Sequence, residues 1–69
     1  MGQRWTVQGR PGWDIEQIIL DRRATLRVRL HGVLVDDAHD AAELEQLLAR
    51  HRISLADLVE VEDEPPRGG

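Results

Sequence analysis

Apolar and polar residues alternate along Thr25–Leu30, with Leu26, Val28 and Leu30 set against Arg27, Arg29 and then His31. A repeat of two puts alternate side chains on opposite faces, so this stretch predicts a strand with one buried face. His31-Gly32 follows, between two apolar runs. Glycine at the second position of a two-residue turn accepts the positive φ that a tight hairpin requires. Val33–Val35 predicts a short second strand. Asp36-Asp37-Ala38-His39 then breaks the pattern with turn-forming residues. Asp40 with Glu43 three residues on is a helix-capping signature, which makes Asp40 the expected N-cap. From there Ala41, Leu44, Leu47 and Leu48 recur at helical spacing, with Glu43, Glu45, Gln46 and Arg50 on the other side. The helix is expected to run to about His51.

On either side of this central unit the pattern is weaker. Arg4–Gln8 reads as an edge strand, with Trp5 and Val7 on one face. Gly9-Arg10-Pro11-Gly12 reads as a turn. Trp13–Leu20 fits two templates. As a helix it gathers Ile15, Ile18 and Ile19 behind an Asp14-x-x-Gln17 cap; as a strand it is apolar on both faces. Three isoleucines in five residues favour the strand, because β-branched side chains are restricted in helices. Asp21-Arg22-Arg23-Ala24 is then a turn. Beyond the main helix, Ser54 and Asp57 form a second capping pair, with Leu55, Leu58 and Val59 at helical spacing. That predicts a short helix over Ser54–Val59; a strand over Leu58–Glu62 is the competing reading. Glu62–Gly69, acidic and then Pro-Pro and Gly-Gly, predicts a disordered tail.

The expected fold is α+β: a three- to four-stranded antiparallel β-meander over residues 4–61, with one main helix and a short C-terminal helix packed on one face. The expected core is Val7, Ile15 or Ile18, Ile19, Leu20, Leu26, Val28, Leu30, Val33, Val35, Leu44, Leu47, Leu48, Ile53, Leu55 and Leu58.

Composition sharpens this picture in three ways. The chain has 69 residues and no cysteine, so a small core must hold without disulfides. Pairing with a second copy through an edge strand, Arg4–Gln8 or Val33–Val35, is a natural remedy, and a homodimer is expected. No apolar run approaches the ~20 residues of a membrane span, and the first residues lack a signal-peptide pattern, so a cytoplasmic protein is expected. Charge is uneven. Residues 1–35 carry six arginines against Asp14, Glu16 and Asp21, a balance of +3; residues 36–69 carry three arginines against ten acids, a balance of −7. All nine basic residues are arginine, which leaves no lysine for acylation or isopeptide attachment.

Candidate chemistry is sparse. Nucleophilic catalysis finds no cysteine and no tyrosine, and the single serine, Ser54, is explained as a cap. Asp36, Asp37, His39 and Asp40 crowd together as hard and imidazole donors do around a cation, but without calcium-loop spacing. A strand-to-helix loop with its cap explains them. His31, His39 and His51 each have a local reason, His51 at a helix C-terminus where a cation is favoured. No enzyme activity, metal, cofactor or small-molecule substrate is expected. Two features carry the functional reading. Arg22, Arg23, Arg27 and Arg29 form a basic patch on and beside one strand, extended by Arg4 and Arg10. Such a patch suits an acidic protein partner or a phosphate backbone. Trp5 and Trp13, the only aromatic residues, flank a Pro-Gly turn and suit the apolar centre of a contact surface.

The terminal Arg67-Gly68-Gly69 resembles the end of ubiquitin-like carrier proteins, over three residues only. The resemblance implies a carrier-type role. The leading expectation is a small non-enzymatic protein–protein interaction or regulatory module. A nucleic-acid binder using the arginine-rich sheet face is the alternative, and the carrier comes third.

Overall fold

The computed structural model describes residues 3–61. Within them an antiparallel sheet carries one α-helix on one face, an α+β arrangement. The order along the chain is β1 (Arg4–Val7), β2 (Arg10–Leu20), β3 (Arg23–Leu30), β4 (Val33–Ala38), α1 (Ala41–Ala49) and β5 (Leu58–Val61). The strands lie in the order β4-β3-β2-β1-β5. Four strands form the expected meander. The helix then returns the chain across the sheet, and β5 pairs antiparallel with β1. The expected tail at 62–69 lies outside the described residues.

Five strands, not three or four, result from the fate of Ser54–Val59. The capping pair is real: Ala56 N–H donates to Ser54 Oγ at 3.2 Å, and Ser54 N–H donates to Asp57 Oδ2 at 3.2 Å. It closes a single 3-10 turn, Leu55–Asp57, and Leu58 leaves that turn with extended backbone. The expected short C-terminal helix is therefore replaced by a strand. The free edge of β1 outcompetes a second helical turn, because it satisfies the backbone groups of Leu58–Val61. Gln8 N–H adds a bond to Asp57 O at 2.8 Å. Arg4–Gln8 is accordingly no edge strand: β1 has neighbours on both sides.

Trp13–Leu20 is a strand, as its isoleucines suggest, but β2 begins earlier, at Arg10. The turn before it is only Gln8-Gly9. Pro11 and Gly12 fall where the β1–β2 register jumps from Thr6↔Asp14 to Val7↔Arg10. An irregular stretch of that kind tolerates a residue with no N–H to donate. Gly12 has φ +94, and a Cβ there would sit 2.4 Å from the His31 ring. Two hairpin turns have both central residues at positive φ: Asp21 (52°) with Arg22 (65°), and His31 (52°) with Gly32 (82°). Both are type I′ in character, and the first is tighter than the expected four-residue turn. β4 runs on through Asp36 and Asp37 to Ala38. It gives up one residue, Val35, to a bulge between the pairs Arg29↔Leu34 and Val28↔Asp36.

Helix α1 is only nine residues long and relies on its ends and its packing. Asp40 Oδ1 accepts from Glu43 N–H at 2.8 Å, and Glu43 Oε1 accepts from His39 N–H at 3.0 Å. At the other end Arg52 takes φ 60°, and Ile53 N–H donates to Leu48 O at 3.0 Å. That closure resembles a Schellman motif and turns Ile53 into the core. The last turn holds no basic residue. Arg10 supplies the cation from β2, donating to the carbonyls of His51 at 3.3 Å and Arg52 at 3.4 Å.

The core lies between the helix and the sheet: Val7, Trp13, Ile15, Val28, Ala38, Leu44, Leu47, Leu48 and Ile53. Full burial of a residue such as Ile15, Val28 or Leu48 contributes about 1.5–3 kcal/mol. Three expected core residues are exposed instead: Ile19 at 72%, Leu20 at 43% and Val33 at 68%. Register puts Ile19 and Val33 on the helix side and Leu20 on the opposite side, and nothing among the described residues covers them at their positions.

Candidate interaction surface

The two longest strands outrun their neighbours. Ladder pairing to β1 reaches Glu16 on β2, with one further bond from Gln17 N–H to Gln3 O. Pairing to β4 begins at Leu26 on β3. Ile18–Leu20 and Arg23–Thr25 therefore pair, among the described residues, only with each other. They form a two-stranded arm closed by Asp21-Arg22. Register places Gln17 opposite Leu26 and Ile19 opposite Ala24. Both pairs share the face of Ile15 and Val28, which is the helix side. On that side Ile19 and Ala24 are exposed. On the other side Thr25 is buried and Ile18 half-buried.

An open groove of about 390 Å³ lies at the base of this arm, between sheet and helix. Its walls are Trp5, Leu26, Ala41, Leu44, Leu55 and Leu58, with Glu60 as the single charged residue. Each element contributes for a local reason. Trp5 is on β1, opposite Glu60 of β5. Leu58 starts β5, and Leu55 belongs to the 3-10 turn. Ala41 begins α1 directly after its cap. Leu26, with Gln17 opposite it, lies one row before the Ile19–Ala24 pair. Apolar side chains thus run on the helix side from Leu58 through Trp5 and Leu26 to the arm, with Gln17 as the polar member of the Leu26 row.

The opposite face of the sheet is charged and self-paired. Arg4 lies 3.4 Å from Asp14; Arg29 lies 3.0 Å from Glu16 and 4.0 Å from Asp14; Arg27 lies 3.0 Å from Asp37. The Arg27–Asp37 contact uses two bonds, Nε to Oδ1 and Nη2 to Oδ2. The hydrogen bond from Arg27 to Asp37, and then the charge of that carboxylate, hold Arg27 above its ordinary pKa. Successive strands thus present Arg4, then Asp14 and Glu16, then Arg27 and Arg29, then Asp37: positive, negative, positive, negative. Register explains the ladder, since Glu16 faces Arg27 and Asp14 faces Arg29 across β2–β3.

The six candidate residues are consequently divided. Trp5 lines the groove. Trp13 is buried in the core, its ring edge against His51 at a centroid distance of 4.8 Å. Arg27 and Arg29 stand in the ladder. Arg22 and Arg23 sit at the tip of the arm, exposed, with no ion-pair partner among the described residues. Ile19, which alternation assigns to the core, belongs to the surface, while Leu55 and Leu58 pack half-buried against the core and also line the groove. The available signal is length, since the run from Trp13 to Leu20 is longer than Arg4–Gln8 can cover. Of the histidines, His31 stands over Gly12 and His51 against Trp13. Among the described residues no three His, Asp or Glu side chains form a group fit to hold a metal ion. No helix among them is long and apolar enough to cross a membrane.

No family model, curated protein or solved structure matches this chain.

Proposed function

We propose that this chain is a small non-enzymatic protein-interaction module, and that its contact surface is the groove together with the helix-side face of the arm. The observation that carries the reading is the run of apolar side chains along one side of the sheet, from the half-buried Leu58, Trp5 and Leu26 that line the groove to the exposed Ile19. Trp5 gives that surface an anchor of the kind that dominates binding energy, and Arg22 and Arg23 give it a charged border. The groove walls hold one ionisable group, Glu60, and no nucleophile, which supports binding over catalysis.

The test uses immobilised full-length chain as bait in lysate of the native cell, with and without nuclease, beside Ile19→Asp and Arg27→Glu/Arg29→Glu baits. A captured protein is then purified and its binding remeasured. Nuclease-resistant binding that Ile19→Asp abolishes supports the proposal. Retention that vanishes with nuclease, or that only the Arg27→Glu/Arg29→Glu bait loses, overturns it in favour of nucleic acid or of the charged face.

A further inference from the structure

We infer that the occupant of the groove is a second copy of this chain, each copy laying its arm in the other's groove; this rests on the proposed contact surface. The first ground is geometry. The protruding pair, Ile19–Ala24, and the hollow at Trp5, Leu26 and Leu44 lie on the same side of the same sheet. Ile19 is two residues beyond Gln17, which at roughly 3.3 Å per residue puts it about 7 Å past the Gln17–Leu26 row. A projection and a recess side by side on one face are self-complementary. A two-fold rotation brings each projection of one copy over the recess of the other, which is the isologous arrangement of closed dimers.

The second ground is charge. Among the described residues of the first half, Arg4, Arg27 and Arg29 are held by carboxylates and Arg10 by the carbonyls ending α1. Arg22 and Arg23 remain, both at the arm tip. The groove wall carries one acid, Glu60, and no basic residue. An arm entering another copy's groove carries Arg22 and Arg23 towards Glu60. The same arm cannot do this in its own chain, because the hairpin runs away from its own groove.

The sheet edges are the rival route to a dimer, and β4 is poorly suited to it. Val33 and Leu34 are exposed there, but Val35 bulges and Asp36 and Asp37 come next. Bulges and edge charges are devices that prevent strand addition.

The chain contains no cysteine, so single cysteines report the contact cleanly. Ile19→Cys and Ala41→Cys chains are mixed under oxidised glutathione, beside a control mixture of Ile19→Cys with Arg50→Cys at the far end of the helix. The expected result is a disulfide-linked species of twice the chain mass that forms faster with Ala41→Cys than with Arg50→Cys. Sedimentation of the unmodified chain over a dilution series should show a dimer that dissociates on dilution. Arg22→Glu with Arg23→Glu should weaken it about tenfold or more, and Glu60→Arg added to that pair should recover part of the loss. A monomer at every concentration overturns the inference. So does a dimer whose cross-linking rate is the same for both mixtures, since that dimer uses another surface. If the chain is monomeric while a lysate protein still requires Ile19, the second copy is excluded and the contact surface itself stands.

Discussion

Ile15 and Ile19 lie on the same strand and the same face, four residues apart, yet Ile15 is 0% exposed and Ile19 72%. The inner half of the β2–β3 ribbon has β1 and β4 beside it and α1 above it. Among the described residues the outer half pairs only with its own partner strand. Identity, spacing and local backbone are nearly the same in both halves; what differs is which neighbours reach that far. Burial in this protein is therefore decided by strand length as much as by side chain. Apolar residues beyond the reach of the neighbours are left as surface.

The largest expected effect separates the two halves directly. Ile15→Ala should cost about 2–5 kcal/mol, a large share of the stability of so small a domain. Ile19→Ala, measured below the concentration at which copies associate, should stay within about 0.5 kcal/mol. Urea denaturation of the two variants decides it, and equal midpoints would erase the distinction. Next comes the backbone of the inner half. Gly12→Ala forces an L-residue to φ +94 against the His31 ring and should cost about 1–2 kcal/mol. Its outer counterpart has the opposite sign. Arg22→Gly relieves a positive φ in the arm turn and, below the concentration at which copies associate, should stabilise by on the order of 1 kcal/mol, read as a higher melting temperature. Asp40→Ala removes the cap of the helix that covers the inner half and should cost about 1 kcal/mol by the same measurement. The smallest effect concerns the face away from the helix. Asp37→Ala breaks a part-exposed ion pair and should cost under about 1 kcal/mol, with the difference shrinking as salt is added.

Much of the inner half is legible in the residues alone. The alternation about Val28, the His31-Gly32 turn and the Asp40–Glu43 cap each have a strictly local cause, and each appears where expected. The preference for a strand at Ile15–Ile19 comes from side-chain branching, which is local too. Non-local causes are not legible. Ser54 and Asp57 make a true capping pair, but the open side of β1 decides that Leu58–Val61 extend rather than coil. Trp13 is enclosed because His51 and the end of the helix come to it. The imbalance of +3 against −7 along the chain is plain in the sequence. The register that sets Asp14 and Glu16 among Arg4, Arg27 and Arg29 is not, so a basic patch in one dimension becomes an alternating ladder in three. For the surface, Trp5, Arg22 and Arg23 can be picked out by residue type and position. Ile19 cannot, since an apolar residue in a periodic pattern reads as core until its neighbours are known.

The pairing of β5 with β1 also sets an order in time. Trp5 and Leu58 face the same groove from positions 53 residues apart in the chain. Contacts between such distant segments are slow to form, because the intervening loop must close first. During synthesis, four strands and the helix have been made by the time Ile53 is added, while one wall of the groove has not. The groove is thus complete only once Leu58–Val61 pairs with β1. A molecule in which that strand has not docked lacks one wall of the groove, so the proposed contact requires β5 in place.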